Sequence, residues 1–136
     1  MVSAGFALQR AVYETLIADH GVLAALGGPH VFDDVPQGTA FPYVTFGRST
    51  LRDWSTGSDR GEEHLVTLHV WSRGAGRKLV HDVMAALRDA LHERALNVSD
   101  HRLINLRHVS SDARRESDGQ TYHGVVRYRA VTEPTV

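Results

Sequence analysis

The chain contains no cysteine, which excludes a disulfide framework, a thiolate nucleophile and a zinc site built on cysteine ligands. It also has no apolar run that approaches the roughly 20 residues of a membrane-spanning helix. Residues 1–10 have neither the basic start nor the apolar segment of a signal peptide. We therefore expect a soluble, intracellular protein of a reducing compartment with no membrane partner.

The chain also lacks an excess of either charge sign. The 15 Lys and Arg residues are balanced by 16 Asp and Glu residues, so the net charge is -1. A protein that coats DNA or a membrane surface draws its affinity from a basic excess, and this chain has none. With 136 residues, 42% hydrophobic and 23% charged, the composition is typical of a globular chain. We expect one domain, residues 1–136, that folds without a metal or a disulfide.

The familiar catalytic motifs are absent as well: there is no nucleophile elbow, no paired-histidine zinc helix, no EF-hand loop and no dinucleotide fingerprint. The segment Arg73–Lys78, at a junction between a strand and a helix, has two glycines and three cations and faintly resembles a phosphate loop. However, Leu79 stands where a metal-binding hydroxyl should follow the lysine. We predict no catalytic residue, no cofactor and no metal site.

Nine histidines invite a metal hypothesis, but their spacing does not support one. His64 and His69 are five residues apart on a strand and point to opposite faces. His108 and His123 are candidates to face each other across the last hairpin, although two ligands are too few for a stable metal site. Structural or surface histidines are the favoured interpretation.

Apolar spacing predicts two main helices. In Ala4–Asp19, apolar residues recur at four-residue spacing and Ser3 is available as the N-cap. Val22–Leu26 adds one or two further turns. The second main helix, Gly76–Glu93, has a strongly apolar face. The residues of that face are Val80, Val83, Met84, Leu87 and Leu91.

Runs of β-branched and aromatic residues predict the strands. They cover Val31–Val35, Phe41–Gly47, Glu62–Trp71, Arg102–Val109 and Thr121–Val131. The prolines around the first run suit an edge strand. In the third run, the face that begins at His64 is the more apolar and is expected on the core. The order of elements predicts an α+β fold, with a mostly antiparallel sheet of about four strands and two main helices packed on one face.

Two connections, Ser49–Gly61 and Ser110–Gln120, are longer than ordinary hairpin loops. Loops of this length are usually functional or disordered. The first carries Trp54, which either marks a contact surface or folds back onto the sheet edge. The second carries Arg114–Arg115, either a solvated loop tip or a contact for protein or phosphate, and Asp118–Gly119 is expected to form its turn.

Four segments, in this order, resemble one known family: "GGPHVFDDVPQGTAFPYVTFG", "DWSTGSDRG", "HVWSRGAGRK" and "DGQTYHGVVRYRAV". The most specific parts are Pro36 with Pro42–Val44, the strand end Val70–Ser72, and the last strand from Asp118 to Val125. On these residues the chain resembles the tail-completion or tail terminator family of long-tailed phages, prophages and gene transfer agents. The resemblance covers residues from about Ala7 to Thr132.

What this resemblance implies is a structural virion protein and not an enzyme. Its subunits would form a hexameric ring on the head-proximal end of the tail tube, in a virion or phage-like particle assembled in the bacterial cytoplasm. The implied partners are further copies of the chain, the tail tube protein and a head-side connector or stopper. DNA would pass through the lumen without sequence-specific binding, which agrees with the balanced charge.

We assign hypothetical contact residues to the two long connections. For the tail tube or a ring neighbour they are Arg52, Asp53, Trp54, Asp59 and Arg60. For the other axial face or the lumen they are Arg114, Arg115 and Glu116. Two alternatives stay open: another connector or tube component of the same particle, and a small α+β enzyme or ligand-binding protein with an apolar pocket between helices and sheet.

Overall fold

In the computed structural model, which describes residues 2–74 and 76–135, three helices pack on one face of a five-stranded sheet. The helices are α1 (Ala4–Ala18), α2 (His20–Leu26) and α3 (Arg77–Leu91). The strands are β1 (Val31–Phe32), β2 (Tyr43–Asp53), β3 (Glu62–Arg73), β4 (His101–Arg115) and β5 (Thr121–Pro134). The α+β class is confirmed, with five strands instead of about four.

The strand order in the sheet is β1-β2-β3-β5-β4. Only β1 is parallel to its neighbour, and the other three pairs are antiparallel. The chain leaves β3 through α3 and returns as β4, and β5 then fills the gap between β3 and β4. The two edges of the sheet are therefore β1 and β4, which are far apart in both sequence and space.

Local sequence signals explain where the helices begin and end. Ser3 caps α1, and its hydroxyl accepts a hydrogen bond from the backbone N–H of Phe6. Asp19 caps α2 in the same way, through the N–H of Val22. Helix α2 is followed by its C-cap residue Gly27, whose φ of 76° lies in the left-handed region that glycine adopts most readily. The predicted N-terminal helix and its short continuation are confirmed.

The core lies between the three helices and the central strands. All five apolar residues predicted on the face of α3 are buried, and so is the face of β3 that begins at His64. Gly124 of β5 allows this close approach. A Cβ at this position would lie 2.7 Å from Cγ1 of Val80 and 2.9 Å from Sδ of Met84, both of which are tighter than van der Waals contact.

Both predicted long loops are wrong in part, because the strands continue into them. β2 extends to Asp53, so its connection to β3 covers only 54–61. β4 extends to Arg115, and its connection to β5 covers only 116–120. The polar composition of these segments is typical of loops, but pairing with β3 and β5 satisfies their backbone hydrogen bonds even where the side chains are exposed.

The two hairpin tips lie at opposite ends of the sheet. In the pairing of β3 with β5, Glu62 is opposite Thr132 and Arg73 is opposite Thr121. The β2–β3 tip is therefore at one end of β3 and the β4–β5 tip at the other. At 3.3 Å per residue the 12 residues of β3 separate the tips by about 36 Å.

Candidate functional site: the two hairpin tips

All five contact residues predicted in the first connection lie together at one end of the sheet, on what we name the first tip (residues 52–61). Arg52 and Asp53 are the last residues of β2, and the others lie in the connection. The Asp53 carboxylate accepts two hydrogen bonds from Ser55, one from the side-chain Oγ (2.6 Å) and one from the backbone N–H (3.1 Å). These bonds, with the nearby charge of Arg60, lower the pKa of the Asp53 carboxyl. The turn therefore has an internal polar scaffold.

Trp54 folds back onto the sheet, as one of the two alternatives predicted, and its role as a contact surface stays a prediction. Its ring folds back over the sheet face that carries no helix, with the guanidinium carbons of Arg129 and Arg52 at 5.0 Å and 5.6 Å from the ring centroid. The residue nevertheless remains 47% exposed. Glu63 binds Nε of both arginines at 2.5 Å, and these bonds, that of Arg129 above all, lower the pKa of the Glu63 carboxyl. Trp54 is thus held in a fixed orientation with an open face.

The second tip (residues 114–121) is closed by the predicted turn, which is confirmed. One carboxyl oxygen of Asp118 accepts the backbone N–H groups of Gln120 (2.9 Å) and Thr121 (2.8 Å). The other accepts Oγ1 of Thr121 at 2.7 Å. These three bonds lower the pKa of Asp118 to about 2. Gly119 follows with a φ of 74°, as a turn of this kind requires.

Behind the second tip, a carboxylate and two histidines form a hydrogen-bonded chain. Glu116 accepts from Nδ1 of His123 at 2.7 Å, and Nε2 of His123 lies 2.7 Å from Nδ1 of His69. A carboxylate can only accept, so the bond to Glu116 places a proton on Nδ1 of His123. The bond from His123, and then that from Arg114, lower the pKa of Glu116. Burial, and then the charge of His123, lower the pKa of His69.

Arg114, Arg115 and Glu116 do lie at the second tip, but the two arginines end strand β4 instead of lying in a loop. Arg114 binds Glu116 at 3.3 Å, and Arg115 is exposed. The predicted pairing of His108 with His123 is wrong. Across the β4–β5 ladder His123 is opposite Arg114, while His108 is opposite Tyr128.

Sequence reasoning missed the contact of His123 with His69 and Trp71. The indole of Trp71 stacks on the His123 ring, with centroids 3.9 Å apart. Sequence spacing does not indicate this contact, because β3 and β5 are neighbours in the sheet but are separated in the chain by α3 and β4. With that pairing known, alternation along both strands would have placed the three rings on one face.

At the segment that resembles a phosphate loop, Gly76 caps α3 without a side-chain hydrogen bond, and Ala75 lies outside the described residues. Residues 2–74 and 76–135 contain no cluster of three His, Asp or Glu side chains arranged for a metal ion. No helix in these same ranges is both long and apolar enough to cross a membrane.

Comparison with known proteins agrees with the fold and with the resemblance. A family profile described as tail completion protein gp17 matches residues 10–133. A chain in the virion of a native gene transfer agent particle is 32% identical, with a TM-score of 0.89 over 98% of this chain and 99% of that one. The gp17 protein of bacteriophage SPP1 is 25% identical, with a TM-score of 0.60 over 93% and 89%. No curated protein matches significantly. The chain therefore belongs to the tail completion protein gp17 family, and it is a structural protein of phage-type tails and not an enzyme.

Proposed function

We propose that the protein caps the head-proximal end of a phage-like tail tube as a hexameric ring. The ring ends tube polymerisation and offers the surface to which the head side joins. The observation that carries this proposal is the similarity to a chain of an assembled gene transfer agent virion, at 32% identity over 98% of the chain. A likeness this complete covers both hairpin tips as well as the core.

The two tips support a role between two different neighbours. A cap must bind the tube on one side and the head on the other, so it needs two chemically different surfaces that face in opposite directions. The first tip offers the half-exposed indole of Trp54, and the second offers the charged side chains of Arg114 and Arg115. We assign the first tip to the tube or a ring neighbour, and the second to the head-side connector or stopper, or to the lumen.

Charge pairing supports free passage of DNA through the ring. On the sheet face without helices, Arg52 and Arg129 share Glu63, and Arg127 binds Asp112 at 3.3 Å. Phosphate contacts by several free arginines would give strong, salt-dependent binding and hold the DNA in place. Here three arginines share two carboxylates, which lowers the positive charge that is free to bind phosphate, so DNA passes without sequence-specific binding.

The decisive experiment combines solution mass with a tube-capping assay. Six subunits of 15.0 kDa have a mass of about 90 kDa, measurable by native mass spectrometry across concentration. Purified tube protein is then polymerised with and without the cap, and tube lengths are measured by electron microscopy. We expect rings and shortened tubes. A connector or tube component would instead give a dodecamer or a filament, and no effect on tube length contradicts capping.

Deletion of residues 53–60 tests the first tip. We expect a folded protein that no longer shortens tubes, because Trp54 and its charged neighbours are gone. The matched control is Gly57→Ala in the same connection, where an added Cβ would meet nothing within 4 Å. If the deletion variant caps tubes as well as this control, the first tip is not the tube contact.

A further inference from the structure

The sheet edge formed by β1 carries an open, largely apolar groove. It lies between α1 and strands β1 and β2 and has a volume of about 450 Å³. The residues that line it include Phe6, Tyr13, Phe32, Asp33, Asp34 and Phe46. Phe6 is 56% exposed, which is unusual for an aromatic residue on a helix that is otherwise packed against a sheet. We name this surface the edge groove.

The opposite edge, β4, carries apolar side chains that project outward. The register between β4 and β5 skips Ile104 and Val109, so each forms a β-bulge. Bulged residues are turned away from the regular alternation of a strand. Ile104 is 48% exposed and Val109 is 54% exposed. We name residues 102–109 the β4 ridge.

The two edges are also opposite in charge. Asp33 and Asp34 are exposed in the edge groove, and within residues 2–74 and 76–135 neither makes an ion pair. The β4 ridge carries Arg102 and Arg107, whose side chains are 69% and 60% exposed although each has a carboxylate neighbour. Arg10 and Glu14, which also line the groove, pair with each other, so Asp33 and Asp34 leave the groove acidic. The two arginines of the ridge share their charge with Glu133 and Glu93 but keep exposed guanidinium groups, so the two edges present opposite charges at their rims.

We propose that the β4 ridge of one subunit docks in the edge groove of the next copy of the chain, and that this contact closes the ring. The inference rests on the proposed ring function. A ring needs a head-to-tail contact between two different surfaces of the same chain. The groove and the ridge are two such surfaces, and four strand spacings, about 19 Å, separate them across the sheet. This direction is perpendicular to the strands, so both hairpin tips remain free for the tube and the head.

The contact is made by side chains and not by a shared β-ladder. β1 has only two residues, and the two bulges interrupt the free edge of β4. Within the edge groove and the β4 ridge, neither strand therefore offers a long regular row of N–H and C=O groups for strand addition. The pairing of Ile104 and Val109 with the aromatic residues of the groove supplies the apolar centre, and the carboxylates and arginines form its rim.

Cross-linking tests the pairing in a background that has no native cysteine. Phe6→Cys and Ile104→Cys subunits are mixed and treated with a short bismaleimide, both alone and on tail tubes. We expect dimers that contain one subunit of each kind. The double variant should give a ladder of cross-linked species that ends at the closed ring. The control replaces Ile104→Cys by Leu65→Cys, which is 41% exposed on central strand β3 and should not cross-link to position 6.

A second variant needs no cysteine and tests how strongly the contact contributes to assembly. Ile104→Asp places a charge in the apolar centre and should raise the concentration for half-assembly by roughly tenfold or more. If the wild-type protein forms a ring but the Phe6→Cys and Ile104→Cys subunits assemble without cross-linking to each other, the proposed interface is overturned while the ring stands. An Ile104→Asp variant that assembles with unchanged affinity has the same consequence. Wild-type protein that stays monomeric in solution and on tubes contradicts the ring itself.

Discussion

Trp71 of β3 and His123 of β5 stack with their rings 3.9 Å apart and only 8° from parallel. The stack fixes the imidazole of His123 in the plane from which Nδ1 reaches Glu116 and Nε2 reaches His69. Glu116 begins the connection of the second tip, so the stack ties the orientation of that tip to the centre of the sheet. The tip is thereby held in one orientation by the fold itself, which would lower the entropy cost of binding the partner proposed for it.

Substitution of His123 separates stacking from hydrogen bonding. His123→Ala removes both and should lower the free energy of unfolding by about 2 kcal/mol, because the residue is only 5% exposed. His123→Phe keeps an aromatic ring against Trp71 but loses both hydrogen bonds, so its stability should lie between those of His123→Ala and the wild type. Urea unfolding measures the free energy of unfolding of the wild type and both variants, and so ranks their stability. Equal stability of the two variants would show that the stack contributes nothing.

Stability should fall as the pH drops below neutral, earlier than carboxylate titration alone would cause. Burial lowers the pKa of His64, and burial followed by the charge of His123 lowers that of His69. Both therefore have folded-state pKa values below the ordinary 6.5. The unfolded chain then binds more protons as the pH falls through about 6.5, so stability present above that value is lost below it.

The measurement is the free energy of unfolding by urea between about pH 7.5 and about pH 5.5. His64→Gln should flatten this slope whatever it does to absolute stability, because the titrating group in the buried bond to Thr132 is gone. His81→Gln, at an exposed position on α3, is the matched control and should keep the wild-type slope. An unchanged slope in His64→Gln would assign the pH dependence to other groups.

Gly124 should be difficult to replace, because a Cβ at this position would lie too close to two side chains of α3. Gly124→Ala places a Cβ against Val80 and Met84 and should cost about 1–3 kcal/mol, because α3 must shift or its side chains must leave their rotamers. Adding Val80→Ala should recover part of this loss. Gly57→Ala, in open space at the first tip, should be close to neutral in the same thermal unfolding experiment. Equal melting temperatures for the two single variants would show that α3 does not rest on Gly124.

Tyr128→Phe should leave the protein equally stable or stabilise it by about 1 kcal/mol. The hydroxyl is buried and has no hydrogen-bond partner in the described part of the chain, while the ring packs in the core. Burial also raises the pKa of Tyr128 far above its ordinary value, so the group stays protonated and neutral. Tyr43→Phe, on half-buried β2, serves as the comparison. A clear loss of stability in Tyr128→Phe would reveal a hydrogen bond to its hydroxyl.

Sequence predicted the helices and the core well because both depend on local periodicity. The face of α3 follows from the spacing between Val80 and Leu91, and a buried helix face leaves few alternatives. The strand ends were not predictable in this way. Residues 49–53 and 110–115 are mostly exposed and mostly polar, and their pairing with a neighbouring strand makes them extended.

The candidate surfaces also differ in how far the sequence predicts them. The residues of each hairpin tip are close in sequence, so their clustering around Trp54 and Arg114 could be predicted. The chain from Glu116 to His69 depends on the pairing of β3 with β5, which no spacing reveals. The same holds for the edge groove, where Phe6 of α1 meets residues of β1 and β2.

Charge reversal at the second tip tests its assignment to the head side. Arg114→Glu with Arg115→Glu should leave ring formation and tube capping intact but reduce the yield of infectious or DNA-transferring particles, because two adjacent like charges now oppose the partner surface. Arg88→Glu, exposed on α3 away from both tips, is the control. Counting free heads and free tails by electron microscopy separates failed joining from failed capping. If joined particles form at the control level, the second tip is not part of the head interface. If the particle yield falls and the tubes are uncapped, these arginines contact the tube instead.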